Sequence, residues 1–177
     1  MGRKLFRREV LGFAVAGVLG TLSHFLYEWS NRALAAAMFC AVNESTWEHM
    51  KILFFPLFFL TAVQVFTLAG NYPNFLAVRT VAILTGIALI PILFYTYSGV
   101  LGYTVGWVNI LIFFLADAGV FTLELALLRK GAYTAGWQQI LGLLVLWVLV
   151  LLFVWCTFRP PMLALWRDPI TGAFGIG

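Results

Sequence analysis

Three features of the chain predict an all-α fold, a polytopic transmembrane helical bundle of five spans plus one short half-helix or interfacial helix, six helices in all. The 177 residues are 63% hydrophobic and only 10% charged, more apolar surface than a core wrapped in ordinary polar surface can enclose. Five apolar runs are each long enough for the roughly 20 residues that a crossing takes. The connections between them are short, so residues 1–177 read as a single integral membrane domain with no room for a separate soluble one.

The first run extends from about Val10 to Trp29. Arg3, Lys4, Arg7 and Arg8 precede it, and the positive-inside rule then keeps the amino terminus cytoplasmic. A charged start of this kind is shared with signal peptides, but the run continues through His24 into Tyr27-Glu28-Trp29 without a small-residue cleavage site, which predicts an uncleaved anchor. Next, Ala33 to Val42 offers about ten apolar residues; at 1.5 Å per residue these reach roughly 15 Å, half of a core about 30 Å thick. The remaining spans are expected at Ile52 to Ala69, Phe75 to Ser98, Tyr103 to Leu128 and Thr134 to Phe158, with turns at Asn71-Tyr72-Pro73-Asn74 and Ser98-Gly99. Pro56 and Pro91 fall inside spans, where each frees the carbonyl four residues back, Ile52 and Ile87, and favours a kink. Charge bias does not separate five crossings from six, since both divide the eleven Lys and Arg seven against four; the length of the Ala33 to Val42 run favours five.

Composition also excludes functions. The excess of basic over acidic residues sits at segment ends and forms no aromatic-interleaved basic face, so no nucleic-acid partner is expected. Cys40 and Cys156 stand alone, without a CxxC pair or neighbouring His, and read as buried small hydrophobes. The expected partners are the lipid bilayer and a small solute or ion. Gly12, Ala16 and Gly20 form a small-residue stripe for helix packing within the chain, in a homo-oligomer or against a membrane partner subunit.

Ionisable residues next to lipid-length apolar runs mark the places to search for chemistry, because charge near hydrocarbon is costly unless it faces protein or water. The segment Asn43-Glu44-Ser45-Thr46-Trp47-Glu48-His49-Met50-Lys51 is the densest. With five crossings it shares one membrane side with the end of the first span and with the carboxyl-terminal tail. His24 and Glu28 are four apart on a helix, one turn from each other on one face, and Glu44 and Glu48 repeat that spacing with His49 adjacent. Together His24, Glu28, Glu44, Glu48 and His49 offer two imidazoles and three carboxylates, donors suited to a divalent metal such as zinc, manganese or iron.

The same residues have structural readings. Ser45-Thr46-Trp47-Glu48 is a capping box, Glu44 suits a helix's positive end, and Lys51 can pair with Glu48. Capping, metal binding and proton or solute binding all remain open at this point. The binding pocket expected here comprises His24, Glu28, Asn43, Glu44, Ser45, Glu48, His49 and Lys51, with Asp117 below it and Asp168 above. Arg79 and Glu124 are level in an antiparallel hairpin and are expected to pair. Asp117 has no basic residue at its level; a protonated Asp117 hydrogen-bonded to Thr85 and a proton relay are the two readings of it. The tail from Pro160-Pro161 through Arg167-Asp168-Pro169-Ile170-Thr171-Gly172 to Gly177 is turn-rich, either frayed or folded as a lid over the polar cluster.

Three of these segments, His24-Phe25-Leu26-Tyr27-Glu28-Trp29, Asn43 to Lys51, and Asp168-Pro169-Ile170-Thr171-Gly172 before Gly175-Ile176, resemble an uncharacterised family of small polytopic bacterial membrane proteins, a domain of unknown function. The resemblance covers nearly the whole chain and implies a compact helical bundle in the bacterial cytoplasmic membrane. It carries no activity. The residues themselves support three functions: binding or transport of a cation or small polar solute; metal-dependent intramembrane hydrolysis, with a metal-activated water and a spare carboxylate as base; and a structural or partner-binding role.

Overall fold

The computed structural model describes residues 2–176. Five long helices, α1 (Gly2–Trp29), α3 (Thr46–Leu68), α4 (Phe75–Leu101), α5 (Gly106–Lys130) and α6 (Gly136–Phe158), are separated by the four-residue α2 (Leu34–Ala37) and short turns, and a single 3-10 turn follows at Ala164–Trp166. All five long helices are long and apolar enough to cross a membrane. The protein is thus an integral multi-pass membrane protein with the helix inventory that the hydropathy pattern predicts. Exposed Leu, Val, Phe and Trp side chains along α1 and α6 face outward, as a lipid-embedded bundle requires.

The helices form a ring of four. α1 packs on α3 and α5, α4 packs on α3 and α5, and α6 lies outside the ring against α4. The packing between α1 and its neighbours depends on glycines. A Cβ at Gly12 would stand 2.5 Å from the Phe121 ring, and one at Gly20 would stand 2.4 Å from Phe113 and 3.0 Å from the carbonyl of Ile52. That carbonyl is the one Pro56 leaves without its helical donor, and Gly20 lets α1 approach it closely. The stripe of Gly12, Ala16 and Gly20 is therefore used inside the chain, where Ala16 is buried; it is not presented to a partner or a second copy. α3 and α4 continue as helix through Pro56 and Pro91.

At the end of the ring remote from α2, each of the four helices contributes one polar residue to a buried cluster. Arg79 of α4 pairs with Glu124 of α5, Nε to Oε2 at 2.8 Å and Nη2 to Oε1 at 2.9 Å, as the hairpin geometry predicts. It also donates to Gln64 of α3 and lies between the rings of Phe75 and Phe121, 5.2 Å from each centroid. Glu9 of α1 completes the set, 3% exposed and with no hydrogen-bond partner on either oxygen among the described residues. Two neutral faces and two bonded acceptors around one guanidinium are what make a charge tolerable at this depth.

Candidate metal centre

The opposite end of the ring is organised by the start of α3. Ser45 is its N-cap, with the hydroxyl accepting from the Glu48 amide at 3.3 Å, and Asn43 Oδ1 accepts from the Ser45 amide at 2.9 Å. In a capped helix the residue before the cap and the fourth helical residue come into contact. Here those residues are Glu44 and His49, and their contact is polar: Glu44 Oε2 lies 3.7 Å from His49 Nε2. The other Glu44 oxygen lies 3.3 Å from His24 Nε2. His24 reaches this place because it sits one turn beyond Gly20, where α1 closely approaches the Ile52 carbonyl of α3.

His24, Glu44 and His49 each offer one ligand atom, and these atoms lie within 4.8 Å of one another. Donors bonded to zinc at about 2.0–2.2 Å in a tetrahedron are separated by roughly 3.3–3.5 Å; the His24–Glu44 contact at 3.3 Å has that length, and the His49 contact, 3.7 Å to the other carboxylate oxygen, is somewhat longer. The imidazole planes are tilted by 45° with centroids 5.5 Å apart, which keeps both rings clear of each other as they converge. His49 Nδ1 lies 2.9 Å from the Ser45 carbonyl. That carbonyl can only accept, so it fixes the tautomer with hydrogen on Nδ1 and leaves the Nε2 lone pair free to bind a metal, an arrangement usual for metal-ligating histidine. All three side chains are half-buried. The hydrogen bond to His24, against the opposing effect of burial, holds the Glu44 carboxyl below its ordinary range, so it is ionised at neutral pH.

The structure divides the remaining predicted site residues by role. Glu28 does not join the group: its carboxylate pairs with Arg32 at 3.1 Å, and both side chains are exposed. Glu48 is also outside it. Its position three residues after Ser45 predicts a reciprocal bond to the Ser45 amide, but that amide is taken by Asn43; Glu48 instead accepts from the Val42 amide at 3.1 Å and pairs with Lys51. Lys51 is fully buried and donates further to the Ala37 carbonyl and the Thr157 hydroxyl, each at 2.9 Å, tying α2 and α6 to α3. Asp117 is fully buried on α5 beside Gly17, with no partner on either oxygen among the described residues. The expected bond from Thr85 does not form, because that hydroxyl donates to the Val81 carbonyl at 2.9 Å within its own helix.

The tail is folded over this end of the bundle. Asp168 Oδ1 accepts from the amides of Ile170 and Thr171 at 2.7 and 3.2 Å, and Oδ2 accepts weakly from the Glu44 amide at 3.5 Å. Burial alone would raise the Asp168 pKa; these amides outweigh it and hold the carboxyl below the usual aspartate range. Gly172 and Gly175 both have positive φ, and at Gly175 a Cβ would meet the Thr157 carbonyl at 2.6 Å, so both turns require glycine. The Gly175 carbonyl accepts from Asn43 Nδ2 at 2.9 Å, and Ile176 packs against Tyr27, Ala37 and Cys40.

Sequence reasoning missed Glu9, Gln64 and Thr157. Glu9 was legible: Leu5, Glu9, Gly12, Ala16 and Gly20 recur at three and four residues, which places Glu9 on the buried stripe of α1. Gln64 and Thr157 carried no such signal, because their partners come from distant helices.

The three motifs quoted from the sequence thus meet at one end of one bundle. Neither a curated protein nor a solved structure matches the chain. A match does extend over residues 5–176 to a family whose description is "Family of unknown function (DUF6512)", and the chain belongs to that family.

Proposed function

We propose that this protein binds a divalent metal ion at His24, Glu44 and His49, with zinc the ion best suited to two imidazoles and one carboxylate. The observation that carries the reading is the convergence of three donor atoms from α1, the α2–α3 connection and α3, with His49 Nδ1 held by a carbonyl so that Nε2 faces the other two. Three protein ligands leave one tetrahedral position for an exogenous ligand, the pattern of an exchangeable site and not of a closed structural one. On the positive-inside argument the amino terminus is cytoplasmic, and the centre then faces the outer side of a bacterial cytoplasmic membrane.

Capture of a cation or of a metal-bound solute is favoured over hydrolysis. Hydrolysis needs a spare carboxylate to take a proton from the metal-bound water. Glu28 and Glu48 are engaged by Arg32 and Lys51, and Asp168 by backbone amides; Asp117, without a partner among the described residues, lies beside Gly17, roughly 10 Å along α1 from His24. Elemental analysis of detergent-purified protein tests the reading: one zinc per chain is expected, lost in His24→Ala and His49→Ala variants and retained in Glu28→Ala. Zinc content that ignores the two histidines refutes it.

A further inference from the structure

The metal centre is the polar end of a groove. A cavity of about 350 Å³ between α1, α3 and α5 is bounded by His24, Glu44 and His49 at one end and by Phe25, Ile110 and Phe114 along its walls. A second cavity, of about 380 Å³, continues along the α1–α5 seam and shares Thr21 and Phe114 with the first. Its floor is Gly17, and it ends at Phe13. From His24 to Phe13 is eleven residues of α1, roughly 16 Å at 1.5 Å per residue. One leaflet of a hydrocarbon core about 30 Å thick is about 15 Å deep. The groove therefore runs from headgroup level to about the midplane, and Phe25, Val18 and Ile110 along it are exposed on the lipid-facing side of the bundle.

Its chemistry is graded in the same direction. Every charged group that lines it lies at the metal end, Asp117 being buried behind Gly17, and beside them is Asn109, whose Oδ1 already accepts from the Tyr97 hydroxyl and whose NH2 remains available. A divalent ion held by two neutral imidazoles and one carboxylate is a net positive centre with an open position, so it selects an anionic oxygen. The oxygen anion that a bilayer presents at this depth is phosphate.

We propose that the ligand completing the metal centre is a membrane phospholipid, one acyl chain lying in the α1–α5 groove and one phosphate oxygen in the fourth coordination position. This rests on the metal reading above, and the two are separable because zinc can be counted without lipid. The test is native mass spectrometry of the purified full chain with added zinc and dipalmitoyl phosphatidic acid, with inorganic phosphate in a parallel arm. Ala14 lines the groove from an exposed position and touches no metal ligand, so Ala14→Trp obstructs the chain path alone. The wild type should retain one lipid per chain only when zinc is present, and chelation should release it; Ala14→Trp should keep its zinc and lose lipid occupancy by about tenfold. Three results overturn the proposal: zinc bound with lipid occupancy the same with and without the metal, equal competition by inorganic phosphate in wild type and Ala14→Trp, or lipid retained by Ala14→Trp. Failure to bind zinc at all overturns the metal centre itself, and this inference with it.

Discussion

Replacing Glu48 by Gln removes the carboxylate that pairs with a fully buried lysine. Lys51 and Glu48 are 0% and 2% exposed at their side chains, and once the carboxylate is gone the Lys51 ammonium is left with neutral acceptors such as the Ala37 carbonyl and Thr157 hydroxyl. Breaking a buried pair from one side costs about 3–5 kcal/mol, because the surviving charge is left uncompensated. At about 2–4 °C per kcal/mol for a chain of this size, the midpoint of thermal unfolding in detergent should fall by roughly 10 °C. Lys51→Met should cost a similar amount, since it strands Glu48 and releases α2 and α6 from α3. The double variant should be less destabilised than the sum of the singles, with a coupling of about 1–3 kcal/mol. Zinc affinity of Glu48→Gln, measured below its unfolding range, should stay within about threefold of wild type. Additive single effects, or a tenfold loss of zinc by Glu48→Gln, would refute the assignment of Glu48 to structure.

Asp117→Leu should leave the unfolding midpoint unchanged or raised, because neither Asp117 oxygen has a partner to lose; a fall worth more than about 2 kcal/mol would show a bonded carboxyl. Gly20→Ala should lower the midpoint by the equivalent of about 1–3 kcal/mol and weaken zinc binding, since the new Cβ meets Phe113 and the Ile52 carbonyl and drives α1 from α3. Gly70→Ala, with nothing within 4 Å, is the matching control and should be silent. Acidification should undock the tail. The folded-state pKa of Asp168 is lowered, so its contribution is complete above the ordinary aspartate value of about 3.9 and disappears as pH falls through the lowered value. Hydrogen-exchange protection of the Ile170 and Thr171 amides, corrected for intrinsic rate, should therefore hold at pH 5 and be lost only as the pH falls below the ordinary aspartate value and through the lowered one; protection that persists in Asp168→Ala at pH 5 contradicts this.

The spans were legible because lipid imposes one rule along the whole chain, and the ten-residue run at Ala33 to Val42 was too short to obey it. The Arg79–Glu124 pair was legible for a related reason: a short turn near residue 100 fixes which residues of α4 and α5 are level. The candidate ligand set was only half legible. His24 and Glu28 share a helix face by spacing, yet Arg32, one turn further on, takes Glu28 away. Glu48 matches a capping-box pattern, but the Asn43 side chain occupies the amide that the pattern reserves for it. Helical periodicity favoured Glu44 with Glu48, whereas the cap geometry joins Glu44 to His49. Such choices are made by side chains competing for single donors, and no spacing rule records the competitor.

Zinc K-edge X-ray absorption of the loaded protein reads the coordination shell itself. Two imidazole nitrogens and two oxygens at about 2.0–2.2 Å are expected, one oxygen from Glu44 and one exogenous, and this shell should be absent from His24→Ala and His49→Ala, which lose the metal. A shell of oxygen alone, or one unchanged by both substitutions, would contradict a centre built from His24, Glu44 and His49.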